Sequence, residues 1–376
     1  MQYSELIQGF ATKDGTSRFK EKHEGKSVAS GHFRSVNDLY LTSLGMGTYL
    51  GEPDQATDQM VTDAVKLSTQ SGAINVIDTA INYRSQKSER TIGRALKELM
   101  EEGAVKRDEV FISTKNGYVT DDGDVRMEFW TYIHNTLVKT GVIKADDISS
   151  GYHCMTIPYL NDQLERSRRN LGLDCIDLMY LHNAVEGQVQ DVGMQQFMKM
   201  LKDVFEFYEQ KKREGKIRYY GMATWNCFRV MPDNMEYLNL HDVVKLAVEV
   251  GGENNGFKFI QLPFNMMMGE ALMLKNQRID GEMLSIIEAA SRLKIGVFTS
   301  VPLMQRRLLS DKIVPKFGNI DSVAVRCLQF VRSAGVTPLV GHKRVEHVQE
   351  NIQVAKMSPF NESEFKELVA KLAKAQ

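Results

Sequence analysis

The chain has 376 residues, 43% hydrophobic and 25% charged, which is an ordinary globular balance with length for one large α/β domain or two smaller ones. Lys and Arg total 47 against 48 Asp and Glu, so the net charge of −1 argues against wholesale binding to nucleic acid or an anionic membrane. The N-terminus lacks the apolar stretch of a secretory signal, and no apolar run approaches the length of a membrane span, so a cytoplasmic protein is expected.

In chain order, residues 1–31 are polar and rich in Lys, Glu, Gly and Ser, and they read as a tail or loosely docked arm. HFRSV and DLYLTSL then alternate around Asn37-Asp38, predicting a β-hairpin. From SLGMGTY (43–49) onward, strands and helices take turns. An amphipathic segment stopped by Gly72 precedes INVIDTA (74–80), and SERTIGRALKELMEEG precedes VFISTKNG (110–117). LNDQLERSRRNLGL leads into CIDLMYLHN (175–183), and MQQFMKMLKDVFEFYEQKKREGK leads into IRYYGMAT (217–224). HDVVKLAVEVGG leads into FKFIQLPFNM (257–266), DGEMLSIIEAASRLK into IGVFTSVPL (295–303), and VAVRCLQFVRSAG into TPLVGHK (337–343). A last helix is expected from Asn361 as cap with Glu364 three residues on.

Eight alternations without a composition break favour a closed (β/α)8 TIM barrel over residues 32–376, as one domain. The rival open doubly wound sheet lacks its GxGxxG after the first strand. One connection is abnormal: about 117–156, after the third strand, is far longer than compact barrels need, and it leaves the active face. The four cysteines are far apart with no CxxC pair, so reduced structural thiols are expected.

Asp78, Tyr83, Lys115 and His182 stand at or just past the ends of apolar strands two, three and four. Taken singly, each has a bland explanation as a turn, solvated or packing residue. In a parallel barrel their strand ends open on one face, so together they form the parts of an acid–base device. A Tyr is a poor acid at neutral pH; a Lys ammonium beside it favours the phenolate and is expected to lower its pKa. An ionised Asp holds the Lys, and a His hydrogen-bonds the substrate oxygen.

The segments GMGTY, GAINVIDTAINY, ISTKNG, LERSRRNLGLDCIDLMYLHN and VGHKRVEHVQEN, in that order, resemble the signature stretches of the aldo-keto reductase superfamily. The resemblance runs from about residue 35 to 357. It implies reduction of an aldehyde or ketone with NADPH, NADH being the alternative carrier, and no metal. Tyr83 would be the general acid, Lys115 and Asp78 would tune it, and His182 would orient the carbonyl. A His at 182 rather than Glu favours carbonyl reduction over reduction of an activated double bond.

For the cofactor, the resemblance assigns Gly47, Thr48 and Tyr49 on the first strand, Asp78, and Gln261 as reader of the nicotinamide carboxamide. Pro302, Leu303 and Gln305 fall in the loop that clasps a pyrophosphate, and Gly341 allows close backbone approach to a phosphate. Lys343 stands at the 2′-phosphate contact, with His347, Glu350 and Asn351 toward the adenine end. Lys343-Arg344 also reads as a solvated helix start, and Gln261 as a polar group satisfied inside the barrel.

Three departures from the pattern bear on the grip. Thr224 stands where Asn or Arg is usual and takes over that carboxamide contact or leaves it unmade; Ser300 or Val301 replaces the Tyr that stacks on nicotinamide, Phe298 having that chemistry on what reads as the wrong side of its strand; and His347 stands where Arg or Gln often contacts the adenine end. Tyr49, Trp130 and Trp225 are the candidate substrate pocket, although Trp130, Tyr132, His134 and His153 equally suit a small core inside the insertion. Asp121-Asp122-Gly123-Asp124 reads as a solvated turn. The rival function is a nucleotide-binding regulatory subunit of the same fold, with little or no turnover.

Overall fold

In the computed structural model, which describes residues 6–375, every apolar run expected to be a barrel strand is one. β1 (Phe33–Val36) and β2 (Leu39–Thr42) pair antiparallel across Asn37 and Asp38, both at positive φ as a two-residue hairpin turn requires. The barrel takes β3 (Gly45–Gly47), β4 (Val76–Asp78), β5 (Phe111–Asn116), β6 (Ile176–His182), β7 (Ile217–Ala223) and β8 (Phe257–Pro263). A small hairpin of β9 (Gln277–Ile279) and β10 (Glu282–Leu284) intervenes before β11 (Gly296–Ser300) and β12 (Thr337–Gly341) close the ring against β8 and β3.

The barrel is filled from below. Val76, Phe111, Leu178, Phe259, Phe298 and Leu339 form its interior cluster, with Leu39 and Leu41 of the first hairpin and Ala11 packed onto it. Phe259 and Phe298 stack at 5.4 Å and 3° between ring planes, so Phe298 shares the inward face with Ser300 but lies one layer deeper. This layer seats the polar strand ends above it on an apolar floor.

The N-terminal segment is more ordered than its polarity predicts. The first five residues of the expected 1–31 arm lie outside the described residues. Lys13–His23 is a helix capped by the Thr12 hydroxyl, with Phe19 fully buried and Arg18 paired to Asp108 at 2.6 Å. Ala11 N–H donates to the Asp177 carboxylate at 2.6 Å, which pins the segment entering this helix beneath the barrel.

Two helix expectations are corrected. The segment after β8 is not one helix from Asp280: Asp280 and Gly281 take positive φ and turn β9 into β10. The helix starts only at Ile286, where Ser285 and Glu288 form a reciprocal capping box. The helix after β6 begins at Ala184, a full segment earlier than its apolar periodicity, and is broken by Gly193 at φ 74°. All four cysteines are free and buried. No helix among the described residues is long and apolar enough to cross a membrane.

The insertion has its own core of Val119, Tyr132, Ile133, Leu137, Ile143, Cys154 and Tyr159. Its acidic turn is not merely solvated: Asp122 and Asp124 pair with Arg90, and Asp124 also with Lys87, tying it to the neighbouring helix.

Candidate active site

Asp78 ends β4 and Lys115 lies near the end of β5, so adjacent staves bring the pair together. Lys115 Nζ donates to Asp78 Oδ2 at 2.5 Å and to the Thr79 carbonyl at 2.7 Å, with both side chains buried. The other Asp78 oxygen accepts from Ser113 Oγ at 2.7 Å and Gln261 Nε2 at 3.0 Å. The carboxylate is thus held by three donors from two strands, β5 and β8, which compensates its burial.

Tyr83 follows β4 on a strained turn. Arg84, Ser85 and Gln86 all have positive φ (49°, 52° and 71°), an unusual run for residues with side chains. Arg84 holds the turn by reaching Asp58 at 2.9 Å, Ser88 at 3.0 Å and Thr91 at 2.9 Å. The turn brings the Tyr83 ring to 4.7 Å from Lys115 Nζ and 5.8 Å from the His182 ring.

Burial is the largest influence on the Tyr83 phenol and pushes its pKa up; Lys115 pulls it down without reversing the direction. The expected net lowering is therefore corrected: the site keeps Tyr83 protonated and supplies a cation for the phenolate once the proton leaves. Lys115 stays an ammonium. Burial opposes its charge, but Asp78 and Tyr83 outweigh that and raise its pKa.

His182 is pushed well below the ordinary histidine range, first by burial and then by Lys115 and His153. Its Nδ1 is buried without a hydrogen-bond partner, leaving Nε2 as the nitrogen that meets the cavity. A buried N–H without an acceptor is the costlier orphan, so the proton belongs on Nε2, pointing at a bound oxygen.

Asp78, Tyr83 and His182 open into a cavity of about 430 Å³ at the C-terminal barrel face, with Lys115 fully buried behind them. Gly47, Thr48, Tyr49, Thr224, Gln261 and Gly341 line it from the strand ends, and Pro302, Leu303 and Gln305 line it from the loop after β11. Ser300, Val301 and Trp225 also face it; Phe298 does not. Trp130 lies outside it, half-exposed with its ring 5.6 Å from that of Tyr152 and tilted by 30°, because the insertion folds around its own core. His134 is exposed and Tyr132 belongs to that core.

A second cavity of about 350 Å³ continues from the first, sharing Gly47, Thr48, Leu303, Arg306 and Gly341, and takes in Lys343, His347, Glu350 and Asn351. The two make one continuous cleft. Gly47 and Gly341 are register partners on β3 and β12, and leave its floor without side chains. Val301, Met304, Gln305 and Arg306 all have positive φ, a contorted loop that turns Gln305 and Arg306 to the cleft. Arg306, Lys343 and Arg344 bring cations where phosphates would lie. These residues fit a nicotinamide dinucleotide. Gln261 spends its amide N–H on Asp78, so its carbonyl oxygen is free to accept from a carboxamide.

Sequence reasoning missed Ser113, Tyr118, Asn183 and Arg306. Tyr118 lines the cavity, contacts His182 edge-on at 5.0 Å and accepts from Asn183 Nδ2 at 3.3 Å. Asn183 follows His182 and Tyr118 is three residues beyond Lys115, so nearness to the tetrad was the available signal.

Comparison with known proteins agrees with this architecture. The profile described as the Aldo/keto reductase family matches residues 43–373. The uncharacterized oxidoreductase YqkF of Bacillus subtilis is 22% identical over 357 residues, 89% of this chain and 93% of its own length. The probable aryl-alcohol dehydrogenase AAD4 of Saccharomyces cerevisiae is 23% identical over 74% of this chain and 78% of its own. The crystal structure of an aldo/keto reductase from Klebsiella pneumoniae in complex with NADP and acetate superposes with a TM-score of 0.59 at 19% identity, covering 92% of this chain and 95% of that one. With a family match across most of its length and a closed eight-stranded barrel to carry it, the chain belongs to the aldo/keto reductase family.

Proposed function

We propose that this protein reduces an aldehyde or ketone to an alcohol with NADPH, Tyr83 supplying the proton. The observation that carries the reading is the convergence of Tyr83, Lys115, Asp78 and His182 beside a cavity that continues into a second, cation-lined one. A nicotinamide dinucleotide, when bound in this cleft, would supply the hydride. His182 Nε2–H holds the carbonyl oxygen and polarises it. Tyr83, kept protonated by burial, gives its proton to that oxygen as charge develops there, and the Lys115 ammonium stabilises the phenolate left behind. Asp78 keeps Lys115 charged and in place.

NADPH as carrier is supported by the cations of the second cavity and by the NADP bound in the Klebsiella structure. The substrate end, walled by Tyr49, Tyr118 and Trp225, suits a small neutral carbonyl compound.

The test is NADPH oxidation against a panel of aldehydes and ketones, followed by absorbance. Turnover is expected, and Tyr83→Phe is expected to lower kcat by about 10²–10⁴ with NADPH still bound. Tight NADPH binding with no turnover of any carbonyl would favour the regulatory barrel instead. Full activity in Tyr83→Phe would remove Tyr83 from its role.

A further inference from the structure

We propose that His153, carried by the long insertion, is a positioning residue for His182 and the Tyr118 wall, which makes the insertion part of the catalytic frame. This rests on the carbonyl-reductase reading above.

His153 is fully buried behind the site, and both ring nitrogens are committed. Nε2 lies 2.9 Å from the His182 carbonyl oxygen, and Nδ1 lies 3.0 Å from Gln188 Nε2. The same Gln188 amide donates to the His153 carbonyl at 3.1 Å. A carbonyl can only accept and an amide NH2 can only donate, so the ring is neutral with its proton on Nε2. Burial agrees, holding its pKa down at about 4.

The slot around the ring is cut to it. A Cβ at Gly117 would stand 2.3 Å from His153 Nε2, and one at Gly187 would stand 2.8 Å from its Cβ. Gly117 follows the strand that carries Lys115, and Gly187 lies in the first turn of the helix after His182. The ring is therefore wedged between the two elements whose relative placement sets the Lys115–His182 geometry.

Backbone bonds from Val119 to Tyr152 and from Cys154 to Gly117, at 2.8 and 2.9 Å, zip the two ends of the insertion together at this point. Tyr118 then fills the space between the histidines, its ring 5.5 Å from His153 and 5.0 Å from His182. An apolar ring could fill the slot, but only an N–H donor can hold the His182 carbonyl. That difference separates positioning from packing.

The experiment compares wild type, His153→Phe, His153→Gln and Gln188→Leu, reading kcat and KM for an aldehyde the wild type reduces and the Kd for NADPH. His153→Phe is expected to lower kcat about 10- to 100-fold, the scale of a misplacement of about 1 Å at a catalytic group, with NADPH Kd within about twofold. His153→Gln, whose Nε2 reaches the same carbonyl, is expected to recover kcat to within about threefold of wild type. Gln188→Leu is expected to lose kcat partway, because it frees Nδ1 without touching the cavity. Wild-type kcat in His153→Phe, or equal impairment of the Phe and Gln variants, overturns the proposal. Should His153→Phe not fold, unchanged kcat in Gln188→Leu overturns it alone. A wild type inactive on every carbonyl overturns the reductase reading and this role with it.

Discussion

Lys343 lines the second cavity, and we propose that it reads the far end of a bound dinucleotide. Its Nζ lies 3.1 Å from where a Cβ at Gly51 would stand, so it reaches from the loop after β12 across to the loop after β3. Asp54 on that facing loop is held below the usual carboxylate range chiefly by its helix-cap hydrogen bonds to Thr57, with Lys343 adding to the effect. We propose that a cation anchored there would meet a 2′-phosphate, for which NADH has no counterpart. Lys343→Ala is expected to raise KM for NADPH about tenfold and leave KM for NADH within twofold, by initial-rate titration of each. Equal losses for both would assign Lys343 to general binding. The tetrad was legible because strand periodicity makes a Lys or Asp at the end of an apolar run conspicuous. Gln261 on Asp78 was not, since that bond joins residues 183 apart across the barrel and no local pattern encodes it. The Tyr83 shift was misjudged for a related reason: sequence names the neighbouring Lys but not the depth of burial that outweighs it.

At the level of elements, the loop after β7 is held by one carboxylate. Glu186, in the first turn of the helix after β6, accepts from the backbone N–H groups of Trp225, Asn226 and Cys227 at 2.8, 2.6 and 3.3 Å, all on Oε1. This fixes Trp225 at the cavity rim with 41% of its surface exposed. Glu186→Ala strips three donors of their acceptor and is expected to cost about 2–4 kcal/mol by urea unfolding. It should also raise KM for the carbonyl substrate about tenfold with little change in NADPH Kd; an unmoved KM would show that Trp225 needs no anchor. Glu186 was invisible as a functional residue because the segment after His182 carries no clean apolar stripe and Gly193 interrupts it. The first hairpin, by contrast, was legible from Asn37-Asp38, and the second was signalled by Asp280-Gly281 but passed over for the apolar residues around it. The insertion's fold was hidden because its core is assembled from residues spread between Val119 and Tyr159.

Across the whole molecule, five of eight histidines are built in as neutral side chains. His23 and His153 are pushed down to about 4, His32 and His342 to about 3, and His182 well below its ordinary value, with burial the first cause in each. They are dispersed: His23 against Gly72, His32 bonded to the Ala73 carbonyl at 2.8 Å, His342 against Ser68 at 2.9 Å, and two at the site. At His32 the nearest charges, Arg332 and Arg34, are themselves cations, so protonation there has no compensating partner. The sign follows directly. Unfolded histidines take protons as pH falls through about 6.5, whereas these folded ones resist until about 4 or lower, so the unfolded state binds more protons in between. Stability is fully present above about pH 7 and declines as pH falls from 6.5 toward 4. The acidic side adds to the loss lower down, because Asp122, Asp124 and Glu165 are held below their usual values by their cationic partners. Near pH 5, unfolding should therefore take up nearly five protons, and the slope of stability with pH should be about 6 kcal/mol per unit. Calorimetry at pH 8, 7, 6 and 5 is expected to give a flat Tm over the first two and a steep fall over the last two. A Tm that stays level down to pH 5 would mean that these histidines are hydrated and chargeable in the native barrel, against their burial.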